Sequence, residues 1–233
     1  MPPPAFHAFG PSHLTVLGLC LVALIVLTCL RRFHPPSATL AERLLGILLL
    51  LNWPGTAYFH WQAGTLLWDT GLPLHFCDVA GIAGGIALLT HNRLAAEIVY
   101  FFGLAGTLQG LITPNLKVDF PEPRFIVFFF LHGGVVVTAL HMVTSLRCSP
   151  RAWAVPRMVG LTLFYALIVG VINATLNSNF AFLCHKPEQA SLMDVLGPWP
   201  WYIGSLVLLC AVFYSLLYAP FFVTRKLRAK KIA

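Results

Sequence analysis

The sequence predicts an all-α polytopic membrane protein, a seven-transmembrane-helix bundle, on three observations. Of its 233 residues, 58% are apolar and only 10% are charged, too little charge to coat a soluble globule of this length. The apolar residues fall into seven runs, each near the roughly 20 residues that a helix needs to cross the hydrocarbon core. Within each run apolarity is continuous, without the two-residue alternation of a barrel strand, and lipid offers exposed backbone no hydrogen bonds. Soluble enzyme folds are therefore excluded.

The runs follow one another with short connections. The first, 13–30, is preceded by no basic residue and followed by Arg31 and Arg32, the reverse of a cleaved signal peptide, so it is expected to be retained. The second, 41–61, carries Asn52, Thr56 and His60 four residues apart on one face, around a loosening Pro54-Gly55 pair. The third, 72–90, opens with His75, Cys77 and Asp78. There Cys77, Gly81 and Gly85 share a small-residue face that lets a neighbouring helix approach closely. The fourth, 94–112, has a second such seam in Gly103, Gly106 and Gly110, and ends among Gln109, Thr113 and Asn115. In the fifth, 125–146, His132 precedes Gly133-Gly134. The sixth, 158–176, closes with Asn173 and Asn177 and leads to Asn179, Cys184, His185 and Lys186. The seventh, 199–223, begins with Trp199, Trp201 and Tyr202, which read as an interfacial aromatic belt. Residues 1–223 are thus expected to form one transmembrane domain and 224–233 a basic tail.

Charge sets the expected orientation. Twelve of the 15 Lys and Arg residues follow runs one, three, five and seven, while Lys117, Arg124 and Lys186 stand on the other side with Asp69, Asp119, Glu122, Glu188 and Asp194. Basic residues near a span are retained in the cytoplasm, so the N-terminus is expected outside and the C-terminus inside a cell membrane. The basic residues lie at membrane edges, where they meet anionic headgroups, and nucleic acid is not an expected partner. Among the six cysteines only Cys77 and Cys184 fall at the oxidising face. A bridge between them is the single disulfide alternative to a free Cys77 thiol.

Polar side chains within spans are costly and tend to mark sites or pathways. Here they gather towards the outside: His13, His60, His75, Cys77, Asp78, Gln109, Asn115, His132, Asn173 and Asn177. A thiol, imidazoles, a carboxylate and amides at one depth suggest a water-accessible polar chamber. His75 and Asp78, three apart, can bond each other. The inner half offers little comparable: Glu97 is spaced to pair with Arg93, and His91 and His141 read as interfacial. No two histidines have the spacing of a helical metal-ligand pair, no phosphate or dinucleotide loop is present, and neither metal nor cofactor is expected.

Five strings carry a resemblance. Pro73-Leu74-His75-Phe76-Cys77-Asp78, Gly103-Leu104-Ala105-Gly106-Thr107-Leu108-Gln109, Thr113-Pro114-Asn115-Leu116, Phe129-Phe130-Leu131-His132-Gly133 and Ser191-Leu192-Met193-Asp194-Val195-Leu196-Gly197-Pro198-Trp199-Pro200-Trp201-Tyr202 resemble the YwaF-like family of bacterial integral membrane proteins. That family is distantly similar to a mammalian multi-pass protein that moves a fatty acyl chain from a phospholipid to an ether lysophospholipid through a cysteine. The resemblance implies lipid acyl chemistry, with Cys77 at the nucleophile's position and His132 as a base.

The chemistry allows a matching mechanism. Cys77, activated by His132 or by His75 oriented through Asp78, attacks an ester carbonyl of a phospholipid acyl donor and forms an acyl-thioester. A lysolipid acceptor, or water, then takes the acyl group. Gln109, Asn115 or Asn179 can donate to the oxyanion. His60, Asn177, Lys186, Trp199 and Trp201 border the same outer region and complete the expected substrate-binding set. The competing class is a small-solute or proton-coupled carrier, which also uses kinked helices and intramembrane His and Asp. Polar groups continuing through the inner half would favour it, and a non-catalytic assembly protein is the remaining alternative.

Overall fold

Prolines begin three of the long helices, where a missing N–H costs nothing: α1 (Pro11–Phe33), α2 (Pro35–Gln62) and α7 (Pro123–Thr144). The computed structural model describes residues 4–188 and 191–232, with side chains up to 228. Between these helices lie the one-turn α3 (Trp68–Gly71), α4 (Phe76–Thr90), α5 (Arg93–Phe102) and α6 (Leu108–Ile112), and after them α8 (Ala154–Leu176) and α9 (Trp201–Ile232). Asn92 caps α5, its side chain accepting from the Leu94 and Ala95 amides at 2.9 and 3.0 Å. A π-helical turn, Gly103–Thr107, joins α5 to α6, and 3₁₀ turns at Phe180–Phe182 and Leu192–Leu196 punctuate the connection from α8 to α9. Among the described residues there is no named strand, only an isolated bridge between Ala5 and Val118.

Six segments are long and apolar enough to cross a membrane: Pro11–Phe33, Trp68–Thr90, Arg93–Ile112, Pro123–Thr144, Ala154–Leu176 and Trp201–Arg228. The seventh expected span corresponds to α2. At 28 residues it is long enough but is not among the six, because Glu42, Arg43, Asn52, Pro54 and His60 interrupt its apolar run. Of the basic tail, Arg225, Lys226 and Arg228 continue α9, while the side chains of Lys230 and Lys231 lie outside the described residues.

The bundle centres on α4, α5 and α7, with α2 and α1 packed along one side and α8 and α9 paired on the other. Small residues let the central helices approach. A Cβ on Gly81 would meet Leu131 Cδ1 at 2.5 Å, one on Gly103 would meet Val135 Cγ1 at 2.9 Å, and one on Gly85 would meet the Gly46 carbonyl at 2.8 Å. Both glycine seams expected from spacing are therefore used for close packing. Val99, Phe101, Val135, Ala139 and Met142 fill the core between them. Outward-facing Leu, Ile, Val and Phe of α1, α8 and α9 remain exposed, as a lipid-facing shell requires.

The arginine-rich half corrects one expectation. It holds two fully buried acids. Glu42 accepts from His141 Nε2 at 2.8 Å, with the Arg31 guanidinium 3.6 Å away. Glu97 does not pair with Arg93. It accepts from the Arg151 backbone N–H and side chain at 2.8, 3.0 and 2.9 Å and from Arg157 at 2.7 Å. The α7–α8 connection brings a two-pronged guanidinium to a carboxylate that a neighbouring arginine on the same helix face meets less well. His141, in the last turn of α7, is wholly buried in the bundle, and His91 ends α4 in the left-handed region with φ 54°.

Candidate functional site

The first turn of α4 is the centre of the site. His75 is the residue before the helix, Phe76 and Cys77 its first two positions and Asp78 its third. The Asp78 carboxylate accepts from the His75 backbone N–H at 3.0 Å, and the Asp78 amide donates back to the His75 carbonyl at 3.0 Å. This reciprocal cap takes the contact that spacing suggested for the imidazole, because the helix start supplies an amide that must be satisfied. Asp78 Oδ1 also lies 4.0 Å from Cys77 Sγ, where it can accept the thiol proton. All six cysteines are free thiols, Cys77 half-buried and Cys184 exposed.

Around that turn the neighbouring helices contribute rings. Phe76 stacks on Phe102 at 4.1 Å and meets Tyr165 edge-on at 5.7 Å, over Gly106, where a Cβ would come within 2.5 Å of the Phe76 ring. Tyr165 donates its hydroxyl to the Leu74 carbonyl at 2.6 Å and lies in the electrostatic neighbourhood of Cys77 and Asp78. Sequence reasoning missed this residue, since a lone tyrosine in an apolar run of α8 carries no spacing signal. The His75 ring packs against Phe180 and Phe182 at 5.4 and 6.0 Å.

His132 comes from α7. Its Nδ1 is 2.8 Å from the Phe128 carbonyl, and because a carbonyl only accepts, Nδ1 carries the proton and Nε2 presents its lone pair. Stacking on Phe128 at 4.0 Å fixes the ring, and Gly110 leaves room for it, since a Cβ there would stand 2.8 Å from Nε2. Side chains on a helix lean towards its N-terminus, so the imidazole is carried towards the Pro123 end of α7 from Leu131, which packs on Gly81 one turn beyond Cys77.

Other expected site residues have separate places. His60 Nδ1 sits 3.0 Å from the Thr65 hydroxyl. Gln109 is half-buried on α6 beside Gly110. Asn115 is exposed and borders a cavity of about 240 Å³ with Lys117, Arg124 and Glu188. Asn177 is the exposed left-handed cap of α8. Asn179 is spent on its own loop: Oδ1 accepts from the Cys184 and His185 amides and Nδ2 donates to the His185 carbonyl. Lys186 donates to the Asp194 carbonyl at 3.3 Å and lies over the Tyr202 ring. Trp199 donates to the Leu183 carbonyl, and both it and Trp201 are largely exposed. His13 and Asn173 are structural. His13 Nδ1 accepts from the Phe9 amide and Nε2 donates to Leu111, while Asn173 clamps Phe180 through both of its polar atoms. Among the described residues no three His, Cys, Asp or Glu side chains converge as metal ligands.

Residues 8–218, nearly the whole bundle, match the TMEM164 family. The chain belongs to the TMEM164 family. An uncharacterized protein of Treponema pallidum (strain Nichols) is 23% identical over 235 residues, covering 93% of this chain and 90% of that one. No solved structure matches it. As a TMEM164 family member the chain is a multi-pass membrane protein, and the matched span takes in the α4 turn, His132 and Tyr165 together.

Proposed function

We propose that this protein is a seven-span membrane acyltransferase, N-terminus outside, that transfers a phospholipid acyl chain through Cys77 to a lysophospholipid or to water. The observation that carries the reading is Cys77 itself, the one thiol placed in the first turn of a helix, with the Asp78 carboxylate beside its proton. A helix N-terminus stabilises a thiolate. The resemblance of 73–78 and 191–202 to the YwaF-like family, and through it to a cysteine-dependent phospholipid acyltransferase, supports the same assignment.

In this reading the thiol loses its proton to His132 Nε2, or to Asp78, and the sulfur attacks the ester carbonyl. The bond from carbonyl carbon to glycerol oxygen breaks, the lysophospholipid leaves with the proton, and an acyl-thioester remains on Cys77. An acceptor hydroxyl then attacks the thioester, and the thiol is restored. Incubating the purified protein in liposomes of labelled phosphatidylcholine should give a hydroxylamine-sensitive acyl adduct by intact-protein mass spectrometry. The adduct is absent in Cys77→Ser and present in Cys184→Ser. A folded wild type that forms neither adduct nor lysolipid across several donor lipids sinks the proposal.

One observation favours a second reading, a proton-coupled carrier: the buried Glu42–His141 pair extends polar groups into the inner half. Proton flux into proteoliposomes that is lost in Glu42→Gln and retained in Cys77→Ser would select it.

A further inference from the structure

At the arginine-rich end of the bundle, two connections and α9 line an open cavity of about 290 Å³. Its basic lining is Arg93 at the start of α5, Arg147 and Arg151 from between α7 and α8, and Arg225 from α9, with the His91 ring beside them. No aspartate or glutamate lines it. The nearest acid in the network, Glu97, is consumed by Arg151 and Arg157. Among the described residues Arg93, Arg147 and Arg225 have no carboxylate partner. Three guanidiniums around one cavity repel one another, and the arrangement is favourable when an anion fills it.

The cavity is also shaped in advance. Arg225 is held by donating to the Tyr218 hydroxyl at 2.8 Å and to the Pro150 carbonyl, which fixes its fork against the α7–α8 connection. Two of its five N–H donors are used there, leaving the others for a ligand. Arg151 is fixed by its bonds to Glu97. Arg93 and Arg147 are exposed and can close from the rim, and Ser149 adds a hydroxyl. Planar guanidiniums converging from separate elements match the several oxygens of a phosphate. Exposed Leu94, Phe222 and Trp153 lie on the same three elements, so the cavity opens at the membrane boundary and not into a dry interior.

The geometry points to a phosphate-binding site at this end, filled by the headgroup phosphate of an anionic phospholipid. It is separate from the α4 turn and does not depend on acyl transfer. Its role would be to seat one lipid among the α4–α5, α7–α8 and α9 segments and so hold them together.

The test uses the full chain in nanodiscs of phosphatidylcholine with phosphatidylglycerol added, extracted gently and analysed by native mass spectrometry. Wild type should retain phosphatidylglycerol over phosphatidylcholine by about tenfold or more. Arg93→Gln with Arg147→Gln should abolish the preference. Ser149→Asp, which adds a carboxylate and removes no arginine, should do the same. Arg124→Gln, at the opposite end, should not. Elution and melting in phosphatidylcholine alone check that each variant is folded. Displacement by inorganic phosphate at constant ionic strength identifies a soluble phosphate as the occupant; displacement no greater than with chloride identifies the lipid. Equal retention of the two lipids by wild type, or an undiminished preference in both variants, overturns the site.

Discussion

Gly46 of α2 and Gly85 of α4 meet backbone to backbone. A Cβ on Gly85 would stand 2.8 Å from the Gly46 carbonyl oxygen, and a Cβ on Gly46 would stand 3.2 Å from that of Gly85. The helices cross at a point where Gly85 has no room for a side chain and Gly46 little. This contact fixes α2 to α4 and so sets the depth of the α4 first turn.

Gly85→Ala should therefore destabilise the bundle by about 1–3 kcal/mol, because a carbonyl cannot rotate aside as a side-chain end can. Gly55→Ala, a helical position with nothing within 4 Å of its added Cβ, should leave stability unchanged or slightly raised. Thermal unfolding in one detergent compares the two.

His132→Gln should keep the fold, since an amide nitrogen can still donate to Phe128, while the lone pair at Nε2 is lost. If His132 is the base, the adduct at Cys77 forms about a hundred- to ten-thousand-fold more slowly, followed by intact mass against time. An unchanged rate would transfer the proton-accepting role to Asp78.

Glu97→Ala removes the acceptor of four hydrogen bonds from Arg151 and Arg157. Both arginines are about one-third exposed and regain water, so the expected loss is about 1–3 kcal/mol. Arg93→Gln should cost nothing comparable in the same melting assay.

Glu42→Ala should cost a similar amount for a different reason. His141 is fully buried, its Nδ1 has no partner, and the substitution strands Nε2 as well. Restoring stability by the double change Glu42→Leu, His141→Phe would identify the pair as structural.

Lys117 and Glu188 form an exposed ion pair at 2.6 Å, and the ammonium holds the Glu188 carboxyl below the ordinary carboxylate range. The pairing is present above that ordinary range and is lost as pH falls through the lowered value. In Lys117→Gln the carboxyl should titrate in the ordinary range, as read by carbon NMR of labelled glutamate. High salt should shrink the difference between the two proteins.

Much of this architecture is legible in the chain. Continuous apolarity marks α1, α4–α5 and α7–α9, and four-residue glycine spacing finds the surfaces where α4 and α5 are approached. Cys77 and Asp78 announce themselves as polar groups at the start of an apolar run. What spacing cannot supply is a partner from elsewhere. Glu97 is matched by arginines 54 and 60 residues away, and the polar ends of Asn173 and Asn179 close local loops, which no helical periodicity describes. Glu42 likewise meets its partner His141 only because the fold brings α7 to α2. Asp78 binds the amide of His75 because helix starts demand acceptors, a requirement that competes with the imidazole at the same spacing.

The wide turn at Gly103–Thr107 acts as a phase shifter. An α-helix advances about 100° per residue, so the additional residue of a π-turn rotates everything beyond it by about that angle relative to regular winding. The stretch before it presents Glu97 to the arginines of the α7–α8 connection, and the stretch after it presents Gly110 to His132. Deleting one residue there would preserve composition and apolarity almost unchanged, yet it would turn Gly110 off the imidazole and give the two ends of the molecule different azimuths.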